Sequence, residues 1–266
     1  DAADTEAPAE DPAETPDDEA PADETPAEDP AADPTETPAE ETPAEEEETP
    51  AQDETDAQAA EADAAAAIAV GDQSYTTLAA FAAVPDTTDL TGTPTYVKVK
   101  GEIELNATVD VPATKNIMLV AAEDTTIKRA AGFTGSMFTV NGGNLQMAGG
   151  SVTDSNGTAI GSGSLTVDGS GDGVTGSIVE VVSGNYGLTD DAVLTGNKTT
   201  GNAGAISNTA DGNVYLLGGT ITGNSATTGG AIYSEGAVSI RGTVSVTGNT
   251  VINSTPETAS NVVLDK

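Results

Sequence analysis

The 266-residue sequence predicts an all-β fold: a right-handed parallel β-helix with a short N-terminal helical cap, preceded by a disordered acidic Pro/Glu/Ala-rich tail. Three observations carry this expectation. Short apolar-polar alternations recur at an irregular period of 20 to 27 residues, each period offers three of them, and no helix-forming stretch lies between. One repeat buries nothing alone, whereas stacked coils share a column of inward side chains.

Composition divides the chain into residues 1–66, 67–95 and 96–266. Asp1 to Asp63 holds 26 of the 44 acidic residues, 10 of the 14 prolines and no Lys or Arg. That segment has almost no apolar side chain larger than Ala, so nothing offsets an ordering entropy of about 1–2 kcal/mol per residue. It reads as a disordered, extended spacer, stretched by like charges and by Thr-Pro steps beginning at Thr15, Thr25, Thr37, Thr42 and Thr49.

A net charge of −36 excludes ordinary nucleic-acid binding, which needs concentrated Lys and Arg. With no Cys and no His, disulfides, thiolate metal sites and imidazole chemistry are out of reach, and no cofactor or metal is expected. No apolar run approaches the roughly 20 residues that span a bilayer, so no membrane insertion is expected. A first residue other than Met reads as a removed signal peptide or as a cloned fragment.

The cap is expected over Ile68 to Leu90. A short strand and turn, Ile68 to Gln73, lead into a helix from Ser74 to Val84, with Ser74 or Thr76 as N-cap, Leu78, Phe81 and Ala82 on one face, and Pro85 as the stop. Tyr75 and Phe81 read as core residues.

The array runs from Tyr96 to Lys266. Aligning GSVTDS, DGVTGS, AVLTGN, GTITGN and VSVTGN places Val152, Val174, Leu194, Ile221 and Val246 in one apolar column. Thr153, Thr175, Thr195, Thr222 and Thr247 follow as exposed strand positions, and Ser155, Ser177, Asn197, Asn224 and Asn249 come two residues later. The three Asn are expected to form an internal ladder at the roughly 4.8 Å spacing of stacked strands. A second register repeats Gly204-Ala-Ile-Ser-Asn208 as Gly230-Ala-Ile-Tyr-Ser234, and a third strand is read in Leu145/Met147, Leu165/Val167, Val214/Leu216 and Val238/Ile240. About seven coils would make a rod on the order of 30 Å long.

On these residues the chain resembles known β-helical surface proteins. Ile221 to Ile232, ITGNSATTGGAI, resembles the paired repeat of the chlamydial polymorphic outer-membrane proteins, in which hydrophobic-x-x-Asn precedes Gly-Gly-Ala-Ile. Tyr96 to Lys266 resembles the pectin-lyase-like surface proteins of Gram-positive gut bacteria, whose turns read GGTITGN and GGAIY. Ala203-Gly204-Ala205-Ile206 departs from the motif by lacking the second Gly, and the chlamydial outer-membrane barrel has no counterpart. The resemblance implies a secreted or cell-surface, adhesin-like protein with host or bacterial surface glycans or proteins as partners. The residues that follow do not read as those of an enzyme, and the alternatives are a polysaccharide-active enzyme on the same fold or a structural spacer fragment of a larger surface protein.

Catalysis on such a rod would need paired carboxylates about 5 to 9.5 Å apart. The candidates are Asp190 with Asp191, Asp168 with Asp172, and Asp154; the Gly-His-Gly and Arg-Ile-Lys motifs of the lyases and hydrolases are absent. These Asp residues read as turn caps. Recognition is expected in the variable turns Gly184 to Asp191 and Asn253 to Ser260, with Asn185, Tyr186, Asp190 and Asp191 facing a ligand. The open strand end at Val262 to Lys266 implies either that the parent protein continues past it or that the chain self-associates end to end.

Overall fold

A computed structural model describes residues 68–70, 73–75, 79–252 and 258–265, with side chains from Phe81 onward. The chain divides into two units, Asp1–Thr49 and Pro50–Lys266, and every described residue belongs to the second. The expected acidic tail, the caps and contacts assigned to Thr76 and Leu78, and most of the turn at Asn253 to Ser260 lie outside the described residues.

The described residues build a parallel β-solenoid with three faces, here called A, B and C, each of six rungs. Face A stacks the second half of β3 (Thr95–Leu105), the second half of β5 (Asn116–Arg129), β9 (Leu165–Asp168), β11 (Ala192–Thr195), β14 (Thr220–Thr222) and β18 (Ser245–Thr247). Face B stacks β4 (Val109–Pro112), the first half of β6 (Phe138–Ala148), the first half of β10 (Val179–Thr189), β12 (Ile206–Asn208), β16 (Ile232–Ser234) and β21 (Val262–Leu264). Face C takes the remaining halves of β3, β5, β6 and β10, then β13 (Gly212–Leu216) and β17 (Ala237–Ile240). Six coils stand where about seven were expected.

The core is the inside of this triangle. Along face A, Ile103, Ile127, Val167, Leu194, Ile221 and Val246 stack in register, and the first five are buried. Face B contributes Val109, Phe138, Val179, Ile206 and Ile232, and face C contributes Ile117, Leu145, Tyr186 and Val214. Each such side chain taken fully out of water supplies roughly 1.5–3 kcal/mol, and only stacking provides it.

The expected column is corrected at two members. Val152 and Val174 are not in it; Ile127 and Val167 hold those places. Val152 sits in β7 (Val152–Thr153), which forms an antiparallel hairpin with β8 (Ala159–Gly161), while Val174 is buried in a turn between faces A and B. The coil from Ile127 to Val167 is 40 residues long because it carries that hairpin. GSVTDS and DGVTGS mimic the repeat locally, but neither joins face A: GSVTDS enters the hairpin, and DGVTGS bonds to the neighbouring coils within the A-to-B turn, from Thr175 N–H to Thr134 O and from Thr200 N–H to Val174 O. Leu165 and Val167 likewise belong to face A, not to the third strand.

At the N-terminal end, β1 (Ile68–Val70) pairs antiparallel with β3 and with β2 (Gln73–Tyr75), so the first rung of face C has a neighbour. Ser74 lies in β2 and is not a helix cap, and the described helix, α1 (Ala79–Ala82), is a single turn. Phe81 and Val84 are buried, and Phe81 meets Phe138 edge-on at 6.1 Å between ring centroids. Lys115 donates to the Val84 carbonyl and pairs with Asp86 at 2.9 Å, fastening this cap to the second coil. At the other end β17, β18 and β21 each pair on one side only among the described residues, and Ile240 and Leu264 are each 57% exposed.

Candidate functional site

The corners of the triangle carry the polar chemistry. Between faces A and B, Thr-Gly-Asn recurs at Thr195, Thr222 and Thr247. Gly196, Gly223 and Gly248 take φ of 77°, 67° and 67°, the left-handed conformation that glycine adopts without strain. That bend turns the next Asn inward. Asn197, Asn224 and Asn249 are fully buried.

The backbone N–H of Asn197 donates to Asn224 Oδ1 at 3.1 Å, and that of Asn224 to Asn249 Oδ1 at 3.0 Å. Asn224 Nδ2 donates to Leu194 O and Thr222 O, as Asn249 Nδ2 does to Ile221 O and Thr247 O. The side chains thus satisfy the backbone groups that the corner leaves without ladder partners. Below Asn197 the stack ends on Arg129, whose guanidinium donates to Asn197 Oδ1, Gly169 O, Phe133 O and Gly135 O. Burial pulls the Arg129 pKa down, and its guanidinium also lies 5.1 Å from the Phe133 ring centroid.

Asn185 and Tyr186 are corrected. Gly184 to Thr189 is strand, not turn, and Tyr186 is wholly buried with its hydroxyl 3.4 Å from Met147 Sδ. Burial in this apolar setting pushes the Tyr186 phenol far up. Asn185 stacks in register with Asn116, Asn144 and Asn213, and its Nδ2 donates to Asn144 Oδ1 at 2.7 Å. This second ladder, at the B-to-C corner, went unread. Its signal is present as Asn-Ile-Met-Leu, Asn-Leu-Gln-Met, Asn-Tyr-Gly-Leu and Asn-Val-Tyr-Leu, starting at 116, 144, 185 and 213.

Asp190 and Asp191 alone among the four occupy a turn, and both are exposed. Asp190 has φ 41°, a conformation held at nearby corners by Gly150, Gly219 and Gly242. The Asp191 carboxylate lies over Gly150, where an added Cβ would stand 2.6 Å from Oδ2. Around these two residues the C-to-A corner of four successive coils forms an open groove of about 910 Å³. Its walls are hydroxyls from Ser151, Ser164, Thr220, Thr243 and Ser245, with Val193, Leu217 and glycines between them. The β7–β8 hairpin adjoins this groove through Ser151.

The other candidate carboxylates act in turns. Asp168 accepts from the N–H and hydroxyl of Ser170, and Asp154 from the N–H groups of Asn156 and Thr158. Those bonds lower the Asp154 pKa, led by the Thr158 N–H; the Ser164 N–H leads in lowering that of Asp124. No cluster of three His, Cys, Asp or Glu suited to a metal occurs among the described residues, and no described helix is long and apolar enough to cross a membrane.

Comparison with protein-family models, with curated proteins and with solved structures gives no match in any of the three.

Proposed function

We propose that this chain is a secreted or cell-surface, non-enzymatic, adhesin-like protein whose solenoid presents its C-to-A corner to glycans or proteins of host or neighbouring cells. The observation that carries this reading is the 910 Å³ groove, built from one corner of four consecutive coils and bordered by the two exposed carboxylates. A surface built on rigid rungs holds its polar groups in place without a ligand, which lowers the cost of binding. The kinship with pectin-lyase-like surface proteins, the right-handed coil that such crossovers favour, and a helical N-terminal cap belong to the same reading.

The use of Asp154 and Asp168 as turn caps supports a non-catalytic role, because a general acid or base must be free to reach a substrate. Self-association belongs to the same proposal: among the described residues β17, β18 and β21 pair on one side only, and Ile240 and Leu264 are exposed beside them.

The test is binding of the full chain to bacterial and epithelial cell panels, with Asp190→Asn and Asp191→Asn together as the variant and surface proteolysis of the producing cells as the localisation readout. Binding reduced about tenfold by the double variant, on a protein cleaved at the cell surface, is the expected result. Turnover of an acidic glycan panel that disappears with the same variant would instead establish a polysaccharide-active enzyme.

A further inference from the structure

Face C carries a second hollow beside the carboxylate corner. Its outward positions run in register from Met118 through Gln146, Gly187 and Tyr215 to Ser239. Gly187 contributes no side chain; the Gln146 side chain leans over it, its Cγ 3.2 Å from where a Cβ would stand, and Tyr215 follows on the next rung. The hollow measures about 270 Å³, near the lower end of the roughly 300–1,000 Å³ range for small-molecule sites.

The walls are chemically mixed. Tyr215 on β13 is 40% exposed and Leu217, just past the end of that strand, 44%, giving an aromatic wall and an aliphatic one. Gln146, Asn144 and Asn185 bring carboxamides, and no charged side chain lines the hollow. Leu217 also borders the 910 Å³ groove, so hollow and groove meet around one corner with Leu217 as the ridge.

An aromatic ring and carboxamides around one shallow hollow suit a pyranose. The C–H face of the sugar would lie on Tyr215 and its hydroxyls would exchange hydrogen bonds with the Gln146 and Asn185 amides, over the side-chain-free Gly187 that Gln146 leans across. Residues 64–266 carry 18 acidic against 8 basic side chains, and with Asp190 and Asp191 just past the ridge this balance opposes an anionic sugar at this place. We propose that the Gly187 hollow is a subsite for one neutral hexopyranose ring of a longer glycan, whose next residues cross Leu217 into the groove. The proposal rests on the surface-binding reading and names its ligand class.

The experiment applies the full chain to a printed array of neutral, N-acetylated, sialylated and uronate-containing oligosaccharides, followed by titration calorimetry with the best neutral binder. Tyr215→Ala and Gly187→Leu are compared with the wild type and with the Asp190→Asn, Asp191→Asn double variant. The expected result is binding to neutral oligosaccharides, weakened at least tenfold by Tyr215→Ala and by Gly187→Leu, and retained by Tyr215→Trp. A filled hollow that leaves neutral-sugar binding unchanged overturns the proposal, as does binding confined to sialylated or uronate glycans. Absence of any glycan binding also overturns it, while cell binding lost in the double Asp variant would keep the surface-binding reading. Circular dichroism and thermal melts check folding, and if Gly187→Leu fails to fold, the contrast of Tyr215→Ala with Tyr215→Trp decides.

Discussion

Asn224→Ala breaks the ladder at its centre. The Asn224 amide accepts from the buried Asn197 N–H and donates to Leu194 O, Thr222 O and Asn249 Oδ1, at 3.0–3.1 Å. Two amide hydrogens are shared among three acceptors, so about three effective bonds are lost. At about 1 kcal/mol net each this is about 3 kcal/mol, and stranding the Asn197 N–H away from water raises the total toward about 5 kcal/mol. Substitution of the exposed Asn156 by Ala should stay within about 0.5 kcal/mol. Urea unfolding followed by far-ultraviolet circular dichroism gives the global loss, and hydrogen exchange at the Asn197 amide reports the local one. Because each coil contacts only its neighbours, the Asn197 and Leu194 rung should open first. A loss below about 1 kcal/mol with unchanged Asn197 protection would refute the claim that these amides hold the corners together.

Three other outcomes follow from the same geometry. Arg129→Met should destabilise by about 3 kcal/mol by leaving Gly169 O, Gly135 O and Asn197 Oδ1 without a donor, and Arg129→Lys should not restore it, because an ammonium cannot fork to all of them; urea midpoints of the three proteins decide. Asp190→Val should cost about 1–2 kcal/mol, since a β-branched residue is forced to positive φ, while Asp190→Gly should be tolerated; thermal melts compare them. Burial raises the folded pKa of Tyr186 above its unfolded value, so its share of stability is complete below about pH 10 and falls as pH rises beyond that. Urea midpoints measured upward from pH 9 should therefore decline, and Tyr186→Phe should flatten the decline.

The sequence by itself determined the class of fold. Val, Ile and Leu alternating in threes per period, with Thr-Gly-Asn at the bends, can be buried only by stacking coil on coil, and a reader can see that without coordinates. It also indicated the Asn197, Asn224, Asn249 series, since three identical polar residues after three identical left-handed glycines have few other uses. Register was decided by the tertiary structure. GSVTDS and GSLTVD compete for the same column, and only pairing across rungs shows that Val167 stacks under Leu194 while Val152 turns aside into a hairpin. A one-strand similarity carries no information on which neighbour is bonded, and register follows from side chains meeting across rungs. The same limit hid Tyr186, which looked like a loop aromatic beside Gly and Asn and proved to be core, because inward and outward positions are set by the strand above and below. The groove and the Gly187 hollow exist only as sums over four and three successive coils, brought together from residues 24 to 41 apart in the chain.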